Sequence, residues 1–146
     1  MKKIPKHFRW FLILMVGLLA IDLFTKYFFY DLQLGSKISF IQPMFNLGIS
    51  RSMKVPGFVS IGIGWISLLL FILIYHKKYI SWVLAALLIA GTLGNMVDRI
   101  WLGGVRDFLT VGNWFPVFNF ADILLNVWIL SYFWKEFFTW KNKTKH

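Results

Sequence analysis

The chain of 146 residues contains no cysteine. That excludes disulfide bridges, thiolate metal sites and a cysteine nucleophile. Charge is scarce as well: Asp, Glu, Lys and Arg make up 15% of residues, where a soluble domain carries about a quarter. Negative charge is scarcest, with six acids against sixteen lysines and arginines. Imidazole is confined to His7, His76 and His146. There is no phosphate-cradling P-loop, internal repeat, low-complexity tract or flexible linker.

Apolar residues fill the space that charge leaves: 58% are hydrophobic and 20% aromatic. At this length that composition describes one domain of a membrane protein. The net charge of +10 would suit nucleic acid, but its distribution argues otherwise. Ten of the sixteen basic residues lie in three places: Lys2, Lys3, Lys6 and Arg9; Lys77 and Lys78; and Lys135, Lys141, Lys143 and Lys145. Four membrane crossings put those places on one side, and the positive-inside rule then accounts for them.

The spans follow from the apolar runs. Residues 10–30 are long enough to cross, with Trp10, Tyr27 and Tyr30 as interfacial anchors. A cleaved signal peptide would also begin with a basic stretch and an apolar run. This run lacks a small-x-small cleavage site and continues past Asp22. Residues 57–75, 80–97 and 121–138 supply three more spans, and 80–97 is rich in small residues that favour close helix packing. Between the first two spans, residues 31–56 carry two alternating stretches, 37–41 and 45–49, which predict a small sheet. The expectation is an all-α membrane protein, one domain over residues 1–146, with four transmembrane helices and both termini inside.

This topology gathers the acids. Asp22, Asp31, Asp98, Asp107 and Asp122 fall on or near the outer side, and only Glu136 is inside. The three histidines lie on the inner side, so a metal site or a Ser/His/Asp triad would lack its imidazole. Residues 91–122 concentrate Asp98, Asp107, Asp122, Arg99, Arg106, Asn95, Asn113 and Asn119 among apolar neighbours. Polar groups are expensive there, which marks a site. Two carboxylates converging in a partly dry site cannot both ionise easily. One then serves as acid and the other as base toward water, which is aspartyl-protease chemistry. Asp107 and Asp122 are the candidates. Asn119-x-x-Asp122 also has capping-box spacing, and a helix start suits an anion. Asp98 ends the third span and is expected to pair with Arg99. Asp22 and Lys26, four apart on one helix face, are expected to form an ion pair bracing the site. The glycines of GTLGN read as packing positions.

Five blocks then carry a resemblance: Asp22-Leu-Phe-Thr25-Lys26, Asn46-Leu-Gly48, Gly91-x-x-Gly94-Asn95-x-x-Asp98-Arg99, Val105-x-Asp107-Phe108 and Phe118-Asn119-x-Ala121-Asp122. In this order, over nearly the full length, the chain resembles the bacterial lipoprotein signal peptidases (signal peptidase II). The resemblance implies a metal-independent aspartyl endopeptidase of the cytoplasmic (inner) membrane, multi-pass, monomeric and without a cofactor, its site near the outer face. It would cut prolipoproteins just before a cysteine already bearing diacylglyceryl, among membrane lipids and without nucleic acid. Asp107 and Asp122 would be the catalytic pair. Asn46, Gly48, Asn95, Arg99 and Asn119 would orient substrate and the dyad. Asp22, Lys26, Asp98 and Ala121 would support it, and a small β-cradle would sit on the outer face. Three departures stand out: Ile49-Ser50-Arg51 after the Asn-x-Gly block, a short segment between the two acids, and Arg106 beside Asp107. A cation at Arg106 is expected to depress the pKa of the dyad. Competing readings are a small transporter lined by Asp22, Lys26 and Asp98, and a non-catalytic membrane protein of the same fold.

Overall fold

The computed structural model describes residues 6–48 and 55–143. Ile49, Ser50 and Arg51 lie outside them. Helix α1 (Lys6–Lys26) continues into a single π-helical turn, Tyr27–Asp31. Strand β1 (Ile41–Asn46) follows, then α2 (Gly57–His76), α3 (Trp82–Leu102), β2 (Val105–Leu109) and α4 (Phe120–Lys143). Among the described residues, three helical segments are long and apolar enough to cross a membrane: His7–Asp31, Gly57–His76 and Trp82–Leu102.

Helix α3 is the axis of the bundle and packs against α1, α2 and α4. Ala85, Ala86 and Ala90 are fully buried on it. Without bulky side chains to separate backbones, neighbouring helices approach closely. The glycines in the C-terminal half of this helix do the same. A Cβ at Gly91 would lie 2.7 Å from the Ala121 carbonyl oxygen, and one at Gly94 would collide with the Asp22 carboxyl. Helix α2, by contrast, turns Trp65, Ile66 and Leu69 outward, as a helix facing lipid would.

Helix α3 starts on Ser81, whose hydroxyl accepts from the Leu84 amide at 3.2 Å. It ends on Gly103, which adopts the left-handed conformation (φ 80°) that closes helices. The helix therefore runs five residues beyond the expected 97. Asp98 and Arg99 sit inside its last turns rather than at its end.

The sheet also departs from expectation. Stretches 37–41 and 45–49 do not form two strands. One strand, β1, covers the segment between them, and its antiparallel partner is β2, the VRDFL segment between α3 and α4. Met44 lies opposite Asp107, Phe45 opposite Arg106 and Asn46 opposite Val105. From Met44 back to Ile41 is three residues, yet their partners Asp107 and Leu109 are two apart. The extra residue is accommodated at Gln42-Pro43, where proline has no N–H to leave unpaired. On its other side, β2 meets Phe118 through a bridge at Leu109. The Phe108 and Leu109 amides donate to the Phe118 carbonyl at 3.0 and 2.8 Å, and the Phe118 amide returns to Leu109 at 2.9 Å. The chain entering α4 is thus tied to the strand that carries Asp107.

Replacing Gly94 with alanine should destabilise the protein by about 1–3 kcal/mol, because the new methyl overpacks a site bounded by a buried carboxylate. Thermal unfolding in detergent measures this. An unchanged midpoint would refute the close packing of α1 on α3.

Candidate active site

The site is assembled from four elements, β1, β2, α3 and α4. Strand alternation points Asp107 to one side of β2 and Arg106 to the other. Asp107 is 2% exposed and accepts two amide hydrogen bonds. Asn46 Nδ2 donates to Oδ2 at 3.0 Å and Asn119 Nδ2 to Oδ1 at 2.7 Å. Gly48 fixes the Asn46 amide in turn, its backbone N–H donating to Asn46 Oδ1 at 3.0 Å.

Asp122 occupies the first turn of α4 and forms the reciprocal capping box with Asn119. The Asn119 amide donates to Asp122 Oδ2 at 3.1 Å, and the Asp122 amide donates to Asn119 Oδ1 at 3.0 Å. From α3, Asn95 Nδ2 donates to Asp122 Oδ1 at 2.8 Å. Asn119 therefore touches both acids at once, and its Nδ2 also donates to Asn95 Oδ1 at 3.1 Å. Three asparagines and two aspartates form one connected network, with Asn119 fully buried at its centre.

Asp107 and Asp122 line a common cavity of about 420 Å³, together with Asn46, Gly48, Asn95 and Arg99. Met44, Phe45, Val117 and Leu125 give it apolar walls. A second cavity of about 320 Å³ adjoins it between α2, α3 and α4, and shares Asn95, Arg99, Asp122 and Leu125. Burial, followed by the negative charge of Asp122, pushes the Asp107 carboxyl up to about 7. The expected depression by Arg106 is not found. That guanidinium faces away and is neutralised by Asp98, with Nη2–Oδ1 at 2.8 Å, and by Asp31.

Beneath the cavity lies a dry ionic cluster. Asp22 and Lys26 are both fully buried, with Nζ–Oδ2 at 2.8 Å. Lys26 also reaches Asp98 Oδ2 at 3.4 Å, Asn95 Oδ1 at 3.2 Å and the Gly94 carbonyl at 3.2 Å. Asp22 Oδ1 accepts the Ala121 amide at 2.8 Å. The expected Asp22–Lys26 pair is present. Asp98 departs from expectation: its cationic partners are Arg106 and Lys26, not Arg99. Successive helical residues point about 100° apart, so Asp98 and Arg99 face different neighbours. Arg99 turns instead toward the cavity, with Nη1 donating to the Asn95 carbonyl at 3.2 Å. A transport pathway would need Asp22, Lys26 and Asp98 along an opening. They are paired with one another and line neither of these two cavities.

Sequence reasoning missed Asn126 and Asp31. Asn126 lines the cavity and donates to the Asp122 carbonyl at 2.8 Å. Its signal was the four-residue spacing from Asp122, which puts both on one helix face. Asp31 gave no such signal, because its partner lies 75 residues away.

Two solved bacterial membrane enzymes, both determined by the in meso method, share this architecture. One, at 2.3 Å resolution, matches with a TM-score of 0.72 and 24% identity over 91% of this chain and 90% of its own. The other, at 1.9 Å, gives 0.65 and 24% over 82% and 87%. Fold and apolar helices thus define a multi-pass membrane protein built like these enzymes. Residues 14–138 match the family model described as signal peptidase (SPase) II, and the chain belongs to that family of aspartic peptidases. The lipoprotein signal peptidase of Synechococcus sp. (strain RCC307) is 35% identical over 83% of this chain and 89% of that protein. That of Shigella flexneri is 35% identical over 82% and 83%. A 52% identical match to the Dehalococcoides mccartyi lipoprotein signal peptidase is confined to 44 residues, 30% of this chain and 27% of that protein.

Replacing Lys26 with methionine should destabilise the protein by about 3–5 kcal/mol, since it strands the buried carboxylates of Asp22 and Asp98. Denaturation in detergent tests this. Wild-type stability would mean that the cluster holds no net charge to compensate.

Proposed function

We propose that this protein is an intramembrane aspartyl endopeptidase that removes the signal peptide from diacylglyceryl-modified prolipoproteins, cutting before the lipidated cysteine, with Asp107 and Asp122 as its catalytic pair. The observation that carries this reading is their shared cavity, in which Asn119 hydrogen-bonds to both carboxyls. Family membership and the names of the relatives support the substrate class.

In this reading the whole chain is a single membrane unit. The 24-residue α4, about 36 Å long at 1.5 Å per residue, is the fourth span. Both termini are inside, and the site opens near the outer face. The β1–β2 ribbon is the cradle above it.

Asp107 keeps its proton near neutral pH and acts as the acid. Asp122 acts as the base; its negative charge receives two N–H donors and the start of a helix dipole. Asp122 takes a proton from water as the oxygen attacks the scissile carbonyl carbon. Asp107 delivers its proton to the carbonyl oxygen, giving a tetrahedral diol. The C–N bond then breaks: Asp122 passes its proton to the departing nitrogen, and Asp107 recovers one from the diol as the carbonyl re-forms. The asparagines hold both carboxyls, while Asn46, Gly48, Asn95 and Arg99 are positioned to meet the peptide along the cavity wall.

Asp107→Asn and Asp122→Asn should each lower cleavage of a diacylated prolipoprotein by at least about a hundredfold, while the protein still inserts. Wild-type turnover by either variant, measured on the purified enzyme in liposomes, refutes the dyad. Activity needs one protonated and one ionised carboxyl, so its pH profile should be bell-shaped, with apparent pKa values belonging to the pair. The alkaline limb should fall near about 7, where the buried Asp107 loses its proton. A rate unchanged through both limbs would exclude acid–base work by these groups.

A further inference from the structure

The residue beside Asp107 faces away from the cavity, yet it is the most heavily tethered side chain on β2. The Arg106 backbone amide donates to Asp98 Oδ2 at 3.0 Å, Nε to the same oxygen at 3.4 Å and Nη2 to Asp98 Oδ1 at 2.8 Å. Nη1 donates to Asp31 on the π turn that ends α1. The planar guanidinium thus clamps one strand residue to two other elements, with the bidentate geometry that arginine alone supplies. The acid that Arg106 grips also touches Lys26, whose Nζ bonds Asn95 Oδ1, and Asn95 in turn holds Asp122. One continuous set of polar contacts therefore runs from the strand bearing Asp107, through the buried cluster, to the carboxyl of Asp122.

We infer that Arg106 is a positioning residue of the active site: clamped by Asp98 and Asp31, it fixes the height of β2 and so sets the Asp107 carboxyl against Asp122. This rests on the reading of Asp107 and Asp122 as the catalytic pair. Arg106 is not among the residues that line the cavity and acts only through the strand. The charged groups whose fields reach Asp107 are Asp122 from α4, Lys26 from α1 and Arg99 from α3, with Asn46 and Asn119 as its hydrogen-bond donors.

The role makes a directional claim about pH. Burial and the Asp122 charge hold the Asp107 carboxyl high. A loosened strand admits water and separates the two acids, and both changes lower it. Direct loss of a nearby positive charge would do the opposite and raise it. Purified full-length Arg106→Gln, assayed in liposomes on a diacylated prolipoprotein, should show kcat reduced by about ten- to a hundredfold and KM within about twofold. Its alkaline limb should move to lower pH. Arg106→Lys keeps the charge but not the fork, and should recover only a minor part of kcat. Wild-type kcat in Arg106→Gln overturns the inference, as does an alkaline limb that moves upward. Reduced folded yield with unchanged kcat and profile per folded molecule assigns a structural role only and also overturns it. Should Arg106→Gln fail to accumulate, Asp31→Asn releases one arm of the clamp. It should show the same changes at smaller size, and their absence is equally decisive. Asp107→Asn is run alongside: activity there removes the dyad reading itself, whereas an inert Asp107→Asn with a normal Arg106→Gln removes only the role of Arg106.

Discussion

The ammonium of Lys26 is the interaction on which the site-bearing half of this molecule depends. It is fully buried and meets two carboxylates, one amide oxygen and one backbone carbonyl. Every one of those partners belongs to a piece of the site or its support. Asp22 holds the first turn of α4 through the Ala121 amide. Asn95 holds Asp122, and Asp98 holds β2 through Arg106. An ion in so dry a place is tolerated only when its partners are fixed around it. The need to satisfy Lys26 therefore brings α1, α3, β2 and α4 to one point. Gly91 and Gly94 make that possible sterically, since any side chain there would meet Ala121 or Asp22.

This arrangement separates two electrostatic tasks that sequence proximity would merge. Below, opposite charges are matched, and the cluster is a brace. Above, Asp107 and Asp122 share a cavity where the nearest donors are neutral amides. The amide donors Asn46 and Asn119, and the more distant charge of Lys26, favour the ionised carboxyl, but burial and the negative charge of Asp122 outweigh them and keep Asp107 protonated near neutrality. Had Arg106 also faced the cavity, a second guanidinium beside that of Arg99 would have favoured the ionised form of both acids. The strand alternation that turns it away is thus as much a part of the acid–base chemistry as the acids themselves.

The helices were legible because apolar runs are local signals. The capping box was legible because Asn119 and Asp122 are three residues apart, and the Asp22–Lys26 pair because a helix repeats every 3.6 residues. Two expectations failed for one shared reason. Asp98 was matched to Arg99, and Arg106 to the dyad, because each stands next in the chain. Neighbours on a helix or a strand diverge in space, and both cations turned elsewhere. The small sheet is present, but its strands and their pairing differ from the expected ones. Alternation within residues 37–49 indicated strand, but pairing is a long-range choice, and the better partner lay beyond two helices at residues 105–109. The partner of Asp31 was illegible for the same cause: only the folded chain places it beside Arg106.

Asn119 shows why a structural and a functional reading of one residue need not compete. As a cap, its side-chain oxygen satisfies the Asp122 amide, and its own amide meets the Asp122 carboxyl. Those bonds use up Oδ1 and leave Nδ2 directed at Asp107 and Asn95. The cap therefore dictates which way the side-chain amide points, and that orientation is what the pair of acids requires. A serine or threonine would cap the helix as well, but neither carries an N–H₂ to give to Asp107. An aspartate would cap it too, yet it would set a third carboxylate against the first two. Asparagine alone among the good N-caps both starts α4 and joins the two acids.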